Sequence, residues 1–286
     1  MPQPTMCEYF SIADQILKVT SCDLTLEWGG ILDAFRVAPQ PWDHGLELRR
    51  VETLSAPQGE LCFSDGGRLV YENGQETLRY IGPVERGWQD AMLRISRCGE
   101  NSMVEFRLEE NRITDNMLLQ AMEITHRVAA AGAFLIHASH IAWQGKSILF
   151  TAPSGGGKTT QAELWQKHRN ARIINGDRAI VLPGEEGCFA LGVPYGGSSG
   201  IAKPHKQPLA AIVYVKQAPE NRISRLTGLD AFRHVWEGCS LDTWCRVDVA
   251  ACTDGVLSAL EQTPVYLLEC TPDAGAVLAL EGVLPL

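Results

Sequence analysis

With 286 residues, 45% of them hydrophobic and 21% charged, the chain is long and apolar enough for one large globular domain or two modest ones, which excludes disorder as its main state. Its 34 acidic and 25 basic residues leave a formal charge of −9, which argues against a broad phosphate-backbone contact surface and so against nucleic acid as a partner. The longest apolar run, Val128 to Ile136, is too short to span a membrane, and Met1 to Thr20 has neither the cationic start nor the apolar core of a secretion signal, so no membrane association and a cytoplasmic setting are expected.

From Cys7 to about Arg107 the chain favours short strands. Glu47 to Val51 and Met103 to Leu108 alternate in polarity, and Asp65-Gly66-Gly67, Asn73-Gly74 and Cys98-Gly99-Glu100-Asn101 punctuate the runs Arg68 to Tyr71 and Met92 to Ser96. This is the grammar of antiparallel hairpins and predicts a β-rich N-terminal domain over residues 1–112, serving substrate recognition or assembly into a homo-oligomer. Near Thr114 the pattern changes. Thr114 or Asp115 can cap a helix whose apolar positions Met117, Leu118, Met122, Ile124 and Val128 recur at helical spacing, and this helix is expected to join the domains.

Over residues 113–286 strand and helix then alternate: strands at Phe134 to Ile136 and Ser147 to Phe150, a helix from about Gly157 to Lys167, and a strand at Arg172 to Ile174. Leu209 to Val215 suits a buried strand, Leu229 to Trp236 and Asp248 to Gln262 suit helices, Val265 to Leu268 closes another strand, and Asp273 to Leu284 is expected to be helical. The nine cysteines contain no C-x-x-C pair, which fits reduced structural thiols better than a disulfide framework or a zinc site. The nearest grouping, Cys239, Cys245 and Cys252, is spaced for helical faces more than for a tetrahedral cage.

The most informative stretch is Ala152-Pro153-Ser154-Gly155-Gly156-Gly157-Lys158-Thr159, a P-loop pattern with Ala in place of its first Gly. A strand runs into it and a helix runs out, the context the motif needs. Consecutive glycines let backbone N–H groups turn inward toward phosphate oxygens, and the helix N-terminus adds a favourable dipole. Ser154, Gly155, Gly156, Gly157, Lys158, Thr159 and Thr160 are therefore expected to bind nucleotide, with Lys158 on the terminal phosphates and the Thr159 hydroxyl on Mg²⁺. Neither the Asn-Lys-x-Asp guanine motif nor the Leu-Ser-Gly-Gly-Gln transporter signature occurs, which leaves ATP as the default nucleotide.

His137 lies twenty-one residues before Lys158 and Asp177 nineteen after it. The second interval holds one helix and one strand, which would deliver Asp177 to the C-terminal end of the strand beside the P-loop strand, where open α/β sheets bind ligands and where a carboxylate could reach the nucleotide's metal, directly or through water. The alternative readings are a hydrogen-bonded core imidazole for His137 and a turn cap for Asp177.

Leu135-Ile136-His137-Ala138, the P-loop, and Ile174-Asn175-Gly176-Asp177-Arg178 together resemble the kinase domain of HPr kinase/phosphorylase over roughly Ala133 to Gly200, with a more distant similarity to ATP-dependent phosphoenolpyruvate carboxykinase. The resemblance implies a P-loop kinase-like domain with a mixed sheet, ATP and Mg²⁺ as cofactors, and transfer of phosphate to a hydroxyl, plausibly a Ser of a protein or peptide. It gives Asp177 a metal-side role. The family carries two adjacent aspartates where this chain reads Gly176-Asp177, so the first carboxylate, thought to act as general base, is missing and His137 is the candidate substitute. The segment Gly192 to Gly200 resembles a loop of the same family, and it either closes over phosphates or accepts an extended substrate, or is a plain surface connection. Lys203, His205, Lys206 or Arg178 could neutralise phosphate charge, although solvated cations on a loop are commonplace. Two other functions remain open: a non-catalytic ATP-binding sensor, and a carboxykinase-like enzyme acting on a small molecule.

Overall fold

The computed structural model describes residues 6–285, so the first five positions of the N-terminal stretch discussed above lie outside the described residues. The chain is mixed α/β and divides into two units, one ending at Glu123 and the other beginning at Ile124.

In the first unit nine strands form one sheet, in the spatial order Arg36–Val37, Met6–Ile12, Gln15–Ser21, His44–Val51, Asn101–Arg107, Leu93–Cys98, Thr77–Ile81, Arg68–Glu72, Glu60–Asp65. The three turns expected from sequence each close a hairpin. Asp65 Oδ1 accepts from the Gly67 N–H, Asn73 Oδ1 accepts from the N–H groups of Gln75 and Glu76, and Gly99 takes a φ of 59°. The sheet is not purely antiparallel, because Gln15–Ser21 and Asn101–Arg107 both run parallel to His44–Val51.

The helix expected from Thr114 to Val128 is two helices, Asp115–Ala121 and Ile124–Ala130. Thr114 does cap the first, its side chain accepting from the Met117 N–H. The break falls at Glu123, whose φ of 48° ends the helical path. Its buried carboxylate is held by Arg79 at 3.0 Å and Arg97 at 3.8 Å, and a buried charge needs such partners.

In the second unit the strand leading into the glycine-rich loop, Lys146–Thr151, lies between Phe134–Trp143, antiparallel to it, and Lys206–Gln217, parallel to it, so the strand before Asp177, Arg172–Asn175, is not its neighbour as expected but pairs with Phe134–Trp143 instead. Val265–Cys270 continues the parallel set beyond Lys206–Gln217, and Arg222–Leu226 pairs with Val265–Cys270 antiparallel. Two apolar clusters form the core. One packs Trp165 of helix Lys158–Arg169 against Trp143, Phe150 and the helix Ala274–Glu281; the other packs Ala231, Val235, Val256 and Ala259 of two further helices against Phe134, Ile136 and Leu149. Trp143 and Trp165 meet edge to face with ring centroids 4.9 Å apart, which fixes the helix after the glycine-rich loop on the sheet. Among the described residues no helix is long and apolar enough to cross a membrane.

His140, at mid-strand in Phe134–Trp143, is fully buried and hydrogen-bonds Ser147 Oγ through Nε2 at 2.8 Å. Burial, with His205 and Arg172 adding to it, lowers its pKa from 6.5 to about 3. The unfolded chain therefore binds a proton that the folded chain refuses, and stability falls as pH drops below 6.5. We expect denaturant titrations to show up to about 1.4 kcal/mol of this loss between pH 6.5 and 5.5, with a shallower slope in His140→Gln. Parallel slopes in the two proteins would assign the acid sensitivity elsewhere.

Candidate active site

The loop between Lys146–Thr151 and Lys158–Arg169 uses each of its glycines for a different steric reason. Gly155 and Gly157 adopt φ of 74° and 101°, and a Cβ on Gly156 would stand 2.6 Å from the Ala152 Cβ. Gly157 caps the helix without a side chain, which leaves the N–H groups of the first turn to an anion. Lys158 folds back over the loop, its Nζ donating to the carbonyls of Ala152 at 2.8 Å and Pro153 at 3.2 Å. Burial lowers its pKa and the nearby Asp177 opposes that shift.

A cavity of about 530 Å³ opens beside the loop, and His137, Ser154, Lys158 and Asp177 all line it. Four of the nine expected site residues thus converge there from three separate stretches, and Gly155 is not among them. His137 Nδ1 lies 3.8 Å from Asp177 Oδ1, Arg178 Nε lies 3.4 Å from Asp177 Oδ2, and an Arg178 terminal nitrogen lies 3.5 Å from His137 Nε2. Burial and the Arg178 guanidinium hold the His137 imidazole below its ordinary pKa against the pull of Asp177, so its neutral, proton-accepting form is favoured. Gly156, Gly157 and Thr160 line a second cavity of about 540 Å³, together with Val215 and Gln217. Thr159 lines neither, but its side chain stands exposed in the first helical turn. Asp177 carries a carboxylate and Thr159 a hydroxyl, hard oxygen donors of the kind Mg²⁺ takes, but only Asp177 lines the cavity.

Sequence reasoning missed Thr151, Tyr214, Glu237 and Gly238, which line the same cavity. The strand Cys239–Ser240 pairs with Leu135 and Ile136, and the His137 N–H donates to the Gly238 carbonyl at 2.7 Å. A Cβ on Gly238 would lie 2.7 Å from Thr151 Oγ1, so only glycine allows this approach and brings Glu237 to the cavity. Burial and Glu237 raise the pKa of Tyr214.

The glycine-dense segment after Gly192 returns to the strand ends. Asn175 Oδ1 accepts from the N–H groups of Asp177 and Arg178, its Nδ2 donates to the Val193 carbonyl, and the Arg178 guanidinium sits 4.7 Å over the Tyr195 ring. A Cβ on Gly176 would lie 2.2 Å from Ser199 Oγ, which closes the position where the resembling family carries its first aspartate. We expect Gly176→Asp to push this turn outward and lower stability by about 1–3 kcal/mol in chemical denaturation. Unchanged stability would mean that the turn moves aside freely. Of the cations considered from sequence, Arg178 reaches the His137–Asp177 pair. Lys203 donates instead to the Ile173 carbonyl, His205 contacts Arg172, and Lys206 lies over the Phe189 ring.

A family model described as ScmC: SynChlorMet cassette protein ScmC matches residues 104–271, more than half of the chain. No curated protein matches it. Among solved structures, the Hpr(Ser) kinase/phosphatase from Coxiella burnetii is similar at a TM-score of 0.29 and 11% identity, covering 52% of this chain and 87% of that one, a likeness too slight to place a site.

Proposed function

The chain belongs to the family of SynChlorMet cassette protein ScmC, and from that premise together with the loop chemistry we propose that it is an ATP- and Mg²⁺-dependent phosphotransferase of the HPr-kinase-like type. The family's name states no activity, so the reading rests on one observation: Lys158, Asp177 and His137 line a single cavity at the mouth of a glycine loop that heads a helix. In this reading Lys158 leaves the carbonyls of Ala152 and Pro153 for the terminal phosphates, and Thr159 and Asp177 hold Mg²⁺, which neutralises phosphate charge. His137 accepts the proton of an acceptor hydroxyl, plausibly a Ser of a protein or peptide, while Arg178 faces the charge that develops in transfer. Phosphoryl transfer depends chiefly on positioning and electrostatics, so an imidazole in place of the first family carboxylate is compatible with turnover.

The test is the metal dependence of nucleotide affinity. Asp177→Asn keeps the shape and removes the charge, so it should still bind ATP but lose the tightening that Mg²⁺ gives the native chain. Superimposable Mg²⁺ titrations of the two proteins would return Asp177 to a structural role. A second reading, an ATP-binding sensor without catalysis, is favoured by the closure of Gly176 against Ser199, and it predicts the same Mg²⁺ response with no transfer.

A further inference from the structure

Away from the phosphate loop, the helix Ile124–Ala130 meets the N-terminal end of the helix Arg246–Gln262. His126 comes from the first helix, Cys245 occupies the N-cap position of the second, and Asp248 lies in its first turn. Each of the three offers a ligand atom, and these atoms all lie within 4.8 Å of one another. Tetrahedral zinc bonded at about 2.0–2.3 Å to nitrogen, oxygen and sulfur needs donors spaced on that scale. The Asp248 carboxylate is nearly fully buried, yet both of its oxygens share one imidazole nitrogen, His126 Nδ1, at 2.8 and 3.0 Å. A carboxylate has about four lone-pair sites, so the His126 contact and a hydrogen bond with the Cys245 thiol still leave acceptor capacity in a place that water reaches poorly.

We propose that His126, Cys245 and Asp248 form a binding site for a zinc-like divalent cation, with the fourth position left to water. The donor set selects the ion. A thiolate and an imidazole favour Zn²⁺ over Mg²⁺ or Ca²⁺, which prefer all-oxygen shells. On binding, the Cys245 S–H bond is exchanged for a sulfur–metal bond, and any proton on the ligating ring nitrogen is lost too; these protons pass to solvent. One thiolate and one carboxylate balance a 2+ ion, so the half-buried site carries no net charge against the positive end of the helix dipole. The cation would clamp the first helix of this unit to a helix about 120 residues later in sequence.

The probe is Co²⁺, titrated into the reduced, metal-free full chain. The site should give intense visible ligand-field bands and a thiolate-to-cobalt band in the near ultraviolet, with excess Zn²⁺ abolishing both and excess Mg²⁺ neither. Cys245→Ser should remove the thiolate band, and both Cys245→Ser and Asp248→Asn should weaken affinity more than about tenfold, the scale that even outer-shell changes reach. Cys98→Ser, at an exposed thiol in the other unit, should leave the spectrum unchanged. Zn²⁺ should raise the melting temperature of the native chain and not that of Cys245→Ser, a variant at a partly exposed position expected to fold. Absence of a thiolate band, or its persistence in Cys245→Ser, would overturn the proposal and leave a hydrogen-bonded His–Asp pair beside a bystander thiol.

Discussion

In His137→Ala, phosphate transfer is expected to fall by on the order of 10²–10⁴-fold while ATP affinity stays nearly unchanged. The side chain faces Asp177 and Arg178 in the cavity, whereas in the proposed reading the loop amides and Lys158 would hold the phosphates. The same residue should shape the acid limb of the pH profile. Because burial and Arg178 depress its pKa below 6.5, transfer should persist to lower pH than an ordinary histidine base allows, then fail as the imidazole protonates. If His137 instead serves only packing, removal would lower the melting temperature and spare transfer. Measuring melting, ATP affinity and transfer on one variant separates these outcomes.

Lys158→Ala is expected to weaken ATP binding by roughly 10- to 150-fold, corresponding to about 1.5–3 kcal/mol for charge-assisted contacts to phosphate. The fold should persist, since the hydrogen bonds of the ammonium run to the carbonyls of Ala152 and Pro153 within its own loop. Calorimetry on a folded variant decides the matter. Unchanged affinity would remove the phosphate-loop reading altogether.

What could be read from the sequence was whatever short-range chemistry dictates. The turns at Asp65 and Asn73 and the cap at Thr114 each rest on a side chain bonding a backbone amide two or three residues away, so local grammar announces them. The start of the helix after the glycine-rich loop was legible from the glycines before it, whereas its end, at Asn170 with a left-handed φ of 52°, lies beyond the expected Lys167. The hairpin from Met6–Ile12 to Gln15–Ser21 carried no such mark, because it turns on Ala13 and Asp14 at positive φ without a glycine. The strand expected at Phe134 to Ile136 runs on to Trp143, and its buried Ser139 and His140 disguised the continuation in an otherwise apolar pattern.

Other features depended on partners far away in the chain. Glu123, where the expected helix breaks, is buried against Arg79, 44 residues earlier, and Arg97, also distant in the chain. Glu237 reaches the cavity through pairing of Cys239–Ser240 with a strand a hundred residues earlier, and His126 finds Asp248 across a similar span. Single-sequence spacing carries no signal for such encounters. The missing family aspartate was visible as Gly176, but its steric cause, the Ser199 hydroxyl, emerged only from the fold.

The central claim is phosphate transfer at the Lys158 cavity, and the most direct measurement is incubation of the full chain with γ-labelled ATP, Mg²⁺ and a lysate of its native host, followed by mapping of the label. Label is expected on a hydroxyl and should disappear with Lys158→Ala and with Asp177→Asn. Tight Mg²⁺-dependent ATP binding with no label transferred to any hydroxyl would contradict it and leave the nucleotide sensor standing.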